Sequence, residues 1–570
     1  MAHTAATSAF RQARDLLLST STDPERAHRE FSWPDLGPHF NWAVDWFDAI
    51  AEGNEKTALW VADEDGREWR VSYDQMRRRS NQVANWLLSL GVKRGDFVML
   101  MLDNRVELWE AMLAIMKVGA VILPTSIVLG TRDLDERIER ANIRVVIADG
   151  TDAQKFDPID RDLIRIVVGS EREGWASFQD VDRFPDTAPG VVVDSDDPAI
   201  VYFTSGTTSR PKMVVHTHLS YPEGHLSTMY WIGVRPGDVH LTISAPGWGK
   251  HAWSLFFAPW IAEATVFVFN YARFDAKALV AQLDRAQVST FCAPPTVWRM
   301  LIQADVERKP GRLREVLSAG EPLNPEVIST IERWWGMQIR DGYGQTELTA
   351  VIGNSPGVRL KPGAMGRPLP GVDVELVDPV TGARGDHGEI CLPLSPRRPL
   401  NLMAGYLGEP ERTAKAEAGG FYHTSDVARR DADGFLTFIG RTDDVFKASD
   451  FKVSPFEVES ALLEHPAVAE AAVVGAPDPV RLNQVKAYVA LAAGWEDSAQ
   501  TAEDILRFAR HRLPAYLRVR RLEVFTLPKT ASGKIRRVEL REREIDLKDA
   551  GRIPTEYRDT DFNLRAAPRA

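Results

Sequence analysis

Residues 202–218 read YFTSGTTSRPKMVVHTH, and how this stretch is parsed decides the rest of the chain. The run Ala199-Ile200-Val201-Tyr202-Phe203 is apolar and predicts a strand. It breaks at Thr204, Ser205, Gly206, Thr207, Thr208 and Ser209, and Arg210, Pro211 and Lys212 close the loop. A short loop dense in hydroxyls and backbone N–H groups, with one glycine and two cations, suits a polyanion such as triphosphate. Hydroxyls and amides donate to phosphate oxygens, and the lysine adds a compact charge. The glycine spacing is not that of a P-loop. The same composition also suits a plain Ser/Thr turn between two strands, and the stretch alone leaves both readings open.

Working outward, apolar runs alternate with helical periodicity. Residues 74–92 have helical spacing ended by Gly91, and DFVMLML (96–102) reads as a strand. A helix over 105–119 ends at Gly119, and AVILPTS (120–126), RVVIAD (144–149) and RIVVG (165–169) follow as short apolar runs. Beyond the loop come ATVFVFN (264–270), a helix near 275–286, VSTFCAPP (288–295), a helix from Thr296, REVLSAGEPL (314–323) and a helix over 325–335. This order predicts an α/β fold of mixed, largely parallel sheets with flanking helices. Residues 1–40 are polar and helix-capable, with WPDLGPHFNW as an irregular wrap onto the body.

Composition sets the outer limits. At 570 residues the chain exceeds one compact core and implies at least two domains. A net charge of -11 argues against a general nucleic-acid binder and against an anionic membrane surface. Cys292 and Cys391 stand far apart and form no CxxC or zinc pattern, so a reducing compartment is expected. No apolar run reaches membrane-spanning length, and the start has no signal-peptide core, which reads as cytoplasmic.

Four later motifs carry chemistry. Ser318-Ala319-Gly320-Glu321-Pro322-Leu323 follows a predicted strand, and its glycine lets a flat ligand approach the backbone. Asp341-Gly342-Tyr343-Gly344-Gln345-Thr346-Glu347 offers an aromatic platform, a hydroxyl and a carboxylate able to hold Mg²⁺. Tyr422-His423-Thr424-Ser425-Asp426, with Gly440-Arg441-Thr442-Asp443-Asp444, offers an acceptor for ribose hydroxyls and a guanidinium for ribose or phosphate. Leu527-Pro528-Lys529-Thr530-Ala531-Ser532-Gly533-Lys534-Ile535 is a turn carrying a lysine. Each has a plainer reading as a glycine-rich turn, a hairpin with solvated charges, or a surface lysine.

Together and in this order, the motifs resemble the adenylate-forming superfamily of acyl-CoA synthetases, nonribosomal-peptide adenylation domains and luciferases. The resemblance runs from about residue 40 to 545. GWGK, FCAPPTVWR, AGEPLNPEV, DGYGQTE, FKVSPFEVESALLEHPAV, GAPDPVR and LPKTASGKIRRVELR look most like medium-chain acyl-CoA synthetases. The resemblance implies a large N-terminal domain (1–442), a small mobile α/β C-terminal domain (443–545) and a polar tail (546–570). Asp443 matches the hinge. Thr204, Ser205, Gly206, Thr207, Thr208 and Lys212 would hold the β- and γ-phosphates. Gly320, Glu321, Pro322 and Tyr343 would frame adenine, and Asp426 and Arg441 would hold ribose. Glu347 would bind Mg²⁺, Thr346 would contact the α-phosphate, and Lys534 matches the lysine that bridges the substrate carboxylate and the α-phosphate. ATP, Mg²⁺ and coenzyme A are the implied cosubstrates and cofactor, and the product is an acyl-CoA made through acyl-AMP.

The acid pocket and the acceptor are less legible. Trp248 and Trp253 lie in GWGKHAWSLFFAPW and are candidate pocket walls, although such aromatics also pack cores. Residues 241–260 contain no Asp or Glu to meet a substrate ammonium, which argues against an amino acid and leaves a medium-chain, branched or aryl acid. Lys250 and His251 are candidates to meet a second polar group on the substrate, with solvated side chains the favoured reading. The chain departs from the family where Ser209, Met213 and Ser425 replace glycines. It also departs in the loop Lys447-Ala448-Ser449-Asp450-Phe451-Lys452, where Asp450 replaces the glycine that lines the pantetheine tunnel. That substitution keeps a second reading open: an adenylating ligase that passes the acyl group to an amine or a carrier-protein thiol.

Overall fold

The computed structural model describes residues 4–204, 211–321, 323–448, 451–478, 481–529, 534–550 and 555–564, apart from the side chains of Phe451 and Lys452. The chain divides into two compact units. The first comprises Met1–Val374, Leu392–Tyr422 and Gly434–Leu436, and the second Glu375–Cys391, His423–Asp433 and Thr437–Ala570.

The first unit holds two large sheets. In one, strands Arg340–Gly344, Glu315–Ala319, Thr290–Cys292, Val239–Thr242, Thr265–Asn270 and Thr57–Asp63 run parallel in that spatial order. In the other, Pro198–Thr204, Val121–Pro124, Phe97–Met101, Val145–Asp149, Ile164–Val168 and Ala176–Ser177 run parallel. Antiparallel strands close each sheet, including Lys212–Thr217 beside Pro198–Thr204 and Gly405–Tyr406 beside Lys212–Thr217. Parallel strands need crossovers of a dozen or more residues, and the predicted helices supply them. The helix Tyr73–Ser89 starts on a reciprocal capping box between Ser72 and Gln75. The helix Pro325–Trp335 starts under an Asn324 cap and stops at Gly336, whose φ of 65° suits a residue without Cβ.

Every residue of the helix Ser220–Ile232 is buried. It touches Lys212–Thr217 of one sheet and Ala350–Gly353 of the other, and Ser227 Oγ donates to the Ala350 carbonyl at 2.7 Å. A helix buried on all sides lies in a core, and this one, polar residues included, ties the two sheets together.

The second unit contains most of a five-stranded sheet, including His387–Pro393, Phe421–Arg430 and Leu436–Arg441. It also contains a hairpin of Phe446–Ala448 with Phe451–Val453. A four-stranded sheet follows, in the order Val468–Asp478, Leu482–Leu491, Arg521–Val524 and Tyr557–Arg558. The segment expected as a polar tail contributes to this sheet: Tyr557–Arg558 pairs antiparallel with Arg521–Leu522. Among the described residues, no helix is long and apolar enough to cross a membrane.

Candidate active site

The strand Pro198–Thr204 pairs with Lys212–Thr217, and Thr204 stands opposite Lys212. The hydroxyl-rich loop is therefore closed at its base by a hairpin. Ser205, Gly206, Thr207 and Thr208 lie outside the described residues. Lys212 Nζ sits 4.0 Å from Glu347 Oε1 and 5.1 Å from the centre of the Tyr406 ring. The Tyr406 hydroxyl donates to the same Oε1 at 3.0 Å, and Met403 N donates to the Glu347 carbonyl at 2.9 Å. Burial, and then the Glu347 charge, push the Tyr406 hydroxyl well above the ordinary phenol range, so it remains a donor. Tyr406 reaches this place because Tyr406 and Gly405 stand opposite Val214 and Val215. The result is a carboxylate oriented by a phenol, with a cation at the outer limit of ion-pair distance.

Thr346 is fixed from behind. His216 Nε2–H donates to the Thr346 carbonyl at 2.7 Å, and burial pushes the His216 pKa down to about 4, so the ring is neutral near pH 7. The Tyr221 ring packs 4.2 Å from it, centre to centre. A Cβ on Gly249 would stand 4.0 Å from Thr346 Oγ1, so the GWGK segment runs beside this hydroxyl. Gly344 must be glycine: a Cβ there would lie 2.4 Å from the Trp253 ring and 2.3 Å from the Thr349 carbonyl oxygen.

Gly320 and Tyr343 come from neighbouring parallel strands, in which Ala319 stands opposite Gly342. Gly320 has a φ of 104° and nothing within 4 Å of where its Cβ would be, so one face of its backbone is open. Glu321 and Tyr343 are half-buried beside that strand edge, and Pro322 lies outside the described residues. In open α/β sheets, ligands bind at the carboxyl ends of parallel strands, and Gly320 follows such an end.

In the second unit, Asp426 Oδ1 lies 3.5 Å from Arg441 Nη1, and Arg441 Nε donates to Asp443 Oδ1 at 3.0 Å. Partial burial works against the Arg441 charge, but Asp426 and Asp443 outweigh it and raise its pKa. Ser425 takes a φ of 62°, a left-handed conformation that a serine adopts at a cost. Its N–H donates to Glu389 Oε1 at 2.6 Å, and its carbonyl accepts from Thr442 N at 2.8 Å. These bonds hold the turn in which serine stands for glycine. Lys447 is exposed on the hairpin, Asp450 lies outside the described residues, and only the backbone of Lys452 is described. Lys534 is exposed at the end of a turn whose base is an antiparallel bridge between Lys529 and Ile535.

The family model for AMP-binding enzymes matches residues 46–407, and the model for their C-terminal domain matches residues 457–534. The chain belongs to the AMP-binding enzyme family. Among relatives of this family, 4-hydroxybutyrate–CoA ligase 1 of Metallosphaera sedula is 42% identical over 528 residues, spanning 90% of this chain and 92% of the relative. The mitochondrial acyl-coenzyme A synthetase ACSM3 of Mus musculus is 36% identical over 530 residues, spanning 90% and 91%. The crystal structure of the anthranilate CoA ligase AuaEII with anthranoyl-AMP superposes with a TM-score of 0.81 at 29% identity, covering 90% of this chain and 99% of that one. The chain is thus an AMP-forming acyl-CoA synthetase by family and by relatives.

Two sequence expectations change. Lys250 is half-buried, and its Nζ donates to the Ala319 carbonyl at 3.1 Å, bracing the strand that leads to Gly320. His251 is buried, and its Nε2 lies 3.0 Å from Asn104 Oδ1. Of the two tryptophans, Trp248 borders a small cavity with Tyr202, His251, Leu100 and Met112. Trp253 packs under Gly344, and its Nε1–H donates to the Tyr221 hydroxyl at 2.7 Å. Sequence reading missed Tyr406, His216 and Glu389. The Gly405-Tyr406 pair has no periodicity or cluster of chemistry to mark it; only the strand pairing brings it to Glu347.

Proposed function

We propose that the protein activates a medium-chain, branched or aryl carboxylic acid with ATP to an acyl-AMP, and then transfers the acyl group to coenzyme A. The observation that carries the residue-level reading is the grouping of Lys212, Glu347 and Tyr406 at the base of the hydroxyl-rich loop. In the first step a carboxylate oxygen attacks the α-phosphorus, and the bond to pyrophosphate breaks. An anion approaches an anion, so positive charge and donors placed where charge develops lower the barrier. Thr204, the loop and Lys212 grip the departing β- and γ-phosphates, and Thr346 donates to the α-phosphate. Glu347 presents a hard oxygen already held by Tyr406, which fits Mg²⁺; the bound ion would neutralise phosphate charge. Lys534 bridges the carboxylate and the α-phosphate. Gly320, Glu321, Pro322 and Tyr343 frame adenine, and Asp426 and Arg441 hold ribose.

In the second step a thiolate attacks the acyl carbonyl carbon and AMP leaves. A lysine lodged between carboxylate and phosphate has no use there. The small domain, 443–545, therefore turns about Asp443 and brings the loop Lys447–Lys452 to the thiol. The neighbour named for anthranilate supports the aryl part of this range. Trp248 at its cavity supports a pocket wall there. Two buried free cysteines fit the reducing cytoplasm.

A panel of carboxylic acids with ATP, read in parallel for pyrophosphate release and CoA consumption, tests this reading. Matched release and consumption for one acid class is the expected result. Release without CoA consumption would assign the acyl group to another acceptor and make Asp450 the cause to examine.

A further inference from the structure

Glu389, Cys391 and His423 form a cluster that the adenylation chemistry does not use. Glu389 and Cys391 lie on the strand His387–Pro393, and His423 lies on its neighbour Phe421–Arg430. Residues two apart on a strand share a face, so the carboxylate and the thiol meet the imidazole of the adjacent strand. His423 Nδ1 lies 2.8 Å from Glu389 Oε2 and 3.5 Å from Cys391 Sγ, and one ligand atom from each of the three falls within 4.8 Å of the others. Glu389 and Cys391 are buried, while the His423 side chain keeps 29% of its exposure.

We propose that Glu389, Cys391 and His423 form a binding site for a divalent transition metal, with Zn²⁺ as the best-fitting ion. One carboxylate oxygen, one imidazole nitrogen and one thiolate sulfur is a mixed hard–soft set that suits zinc, which takes His N at about 2.0 Å and Cys S at about 2.3 Å. With those bond lengths, the 3.5 Å separation of Nδ1 and Sγ subtends about 109° at the ion, while the 2.8 Å separation of Nδ1 and Oε2 subtends roughly 90° for a carboxylate oxygen at about 2.0 Å, so the carboxylate shifts outward from the imidazole on binding. The partly exposed histidine edge leaves the fourth position to water. The carboxylate is already oriented, because Glu389 Oε1 accepts from the Ser425 N–H at 2.6 Å while Oε2 faces the imidazole. Such outer hydrogen bonds are how proteins hold ligating carboxylates in place. Without metal, burial, and then the neighbouring Glu389 charge, push the Cys391 thiol up, so it is protonated. Binding deprotonates the thiol: the S–H proton passes to solvent, the Zn–S bond forms, and no redox change occurs.

The test uses the full-length protein, stripped with chelator and titrated with Zn²⁺ against a chromophoric competitor. The wild type should take up about one Zn²⁺ per chain at this site. Cys391→Ser and His423→Ala should each weaken binding by more than the roughly 10–100-fold that loss of an outer-shell partner costs. Thermal unfolding supplies a readout independent of catalysis. Zn²⁺ should raise the wild-type Tm and leave that of Cys391→Ser unchanged, since a ligand stabilises only the state that binds it. Should His423→Ala fail to fold, Cys391→Ser alone decides, because serine fills nearly the same buried space. Absence of stoichiometric binding in the wild type, or equal binding in wild type and Cys391→Ser, would overturn the assignment.

Discussion

Lys486 and Lys534 belong to the same small unit and live in opposite surroundings. Lys486 is fully buried on the strand Leu482–Leu491, and its Nζ lies 2.7 Å from Glu523, 2.6 Å from Glu544 and 3.0 Å from Glu556. Arg521, Arg543 and Arg558 pair with the same carboxylates, so each of the three meets at least two cations. Lys534 is exposed at the end of a turn. The contrast separates two uses of one side chain. A lysine that holds a fold is matched charge for charge, because an unmatched buried charge is costly. Under the proposed function Lys534 has to reach two substrate anions, and its exposed position agrees with that role.

The largest expected effect falls on the exposed lysine. Lys534→Ala should lower acid-dependent pyrophosphate release by at least about 10²–10³-fold, the range seen when one preorganised donor to developing charge is removed. Stability should move by no more than about 0.5 kcal/mol, as for other surface substitutions. Near-normal release, with the fold intact, would dissolve the comparison by leaving Lys534 an ordinary surface residue. Lys486→Met should do the reverse. It takes the fully buried cation from three carboxylates, leaving them to partly exposed arginines, and should cost about 3–5 kcal/mol, read as a lower urea midpoint for the unit. Folded protein at low temperature should still release pyrophosphate. An unchanged midpoint would mean that packing, and not charge matching, sustains this core.

The two lysines also mark what sequence makes visible. Lys534 stands in a motif, with LPKTASGK placing turn residues and charge together, so its chemistry is concentrated locally. Lys486 is one polar letter in an apolar strand, and its partners lie 37 and 58 residues away. The same rule governs the first unit. The helix over 325–335 was legible because its spacing, its Asn324 cap and Gly336 are local signals, and it folds as Pro325–Trp335. The DGYGQTE stretch draws attention by its own composition. Tyr406, which orients Glu347 from 59 residues away, does not, because its place depends on a strand pairing that no local pattern announces. Glu389 escaped for a similar reason. It holds Ser425 across a neighbouring strand, and only the left-handed φ at Ser425 reveals the need for it. The tail was read as polar, and it is, but its Glu556 neutralises a buried cluster that composition cannot reveal.

The smallest expected effect, and the sharpest for the charge argument, concerns Glu556. Burial works to raise its pKa, but hydrogen bonds from Arg521, together with the Lys486 charge, outweigh it and hold the carboxyl below its ordinary value of 4.5. A carboxylate with a lowered folded pKa stabilises the protein above its unfolded pKa, and that stability is lost as pH falls through the folded value. Glu556→Gln should therefore cost about 1–3 kcal/mol at pH 7, the scale of hydrogen bonds to charged groups. The penalty should shrink as pH falls below about 4.5, where the wild-type carboxyl takes up its proton and loses the same advantage. Urea midpoints of wild type and variant, measured from pH 7 down to pH 3, should converge. A gap that stays constant across that range would assign Glu556 to shape and not charge, and would weaken the contrast with Lys534. The acid limb of Lys534→Ala should follow the wild type, because the charges that stabilise the buried cluster are untouched by a change at the exposed turn.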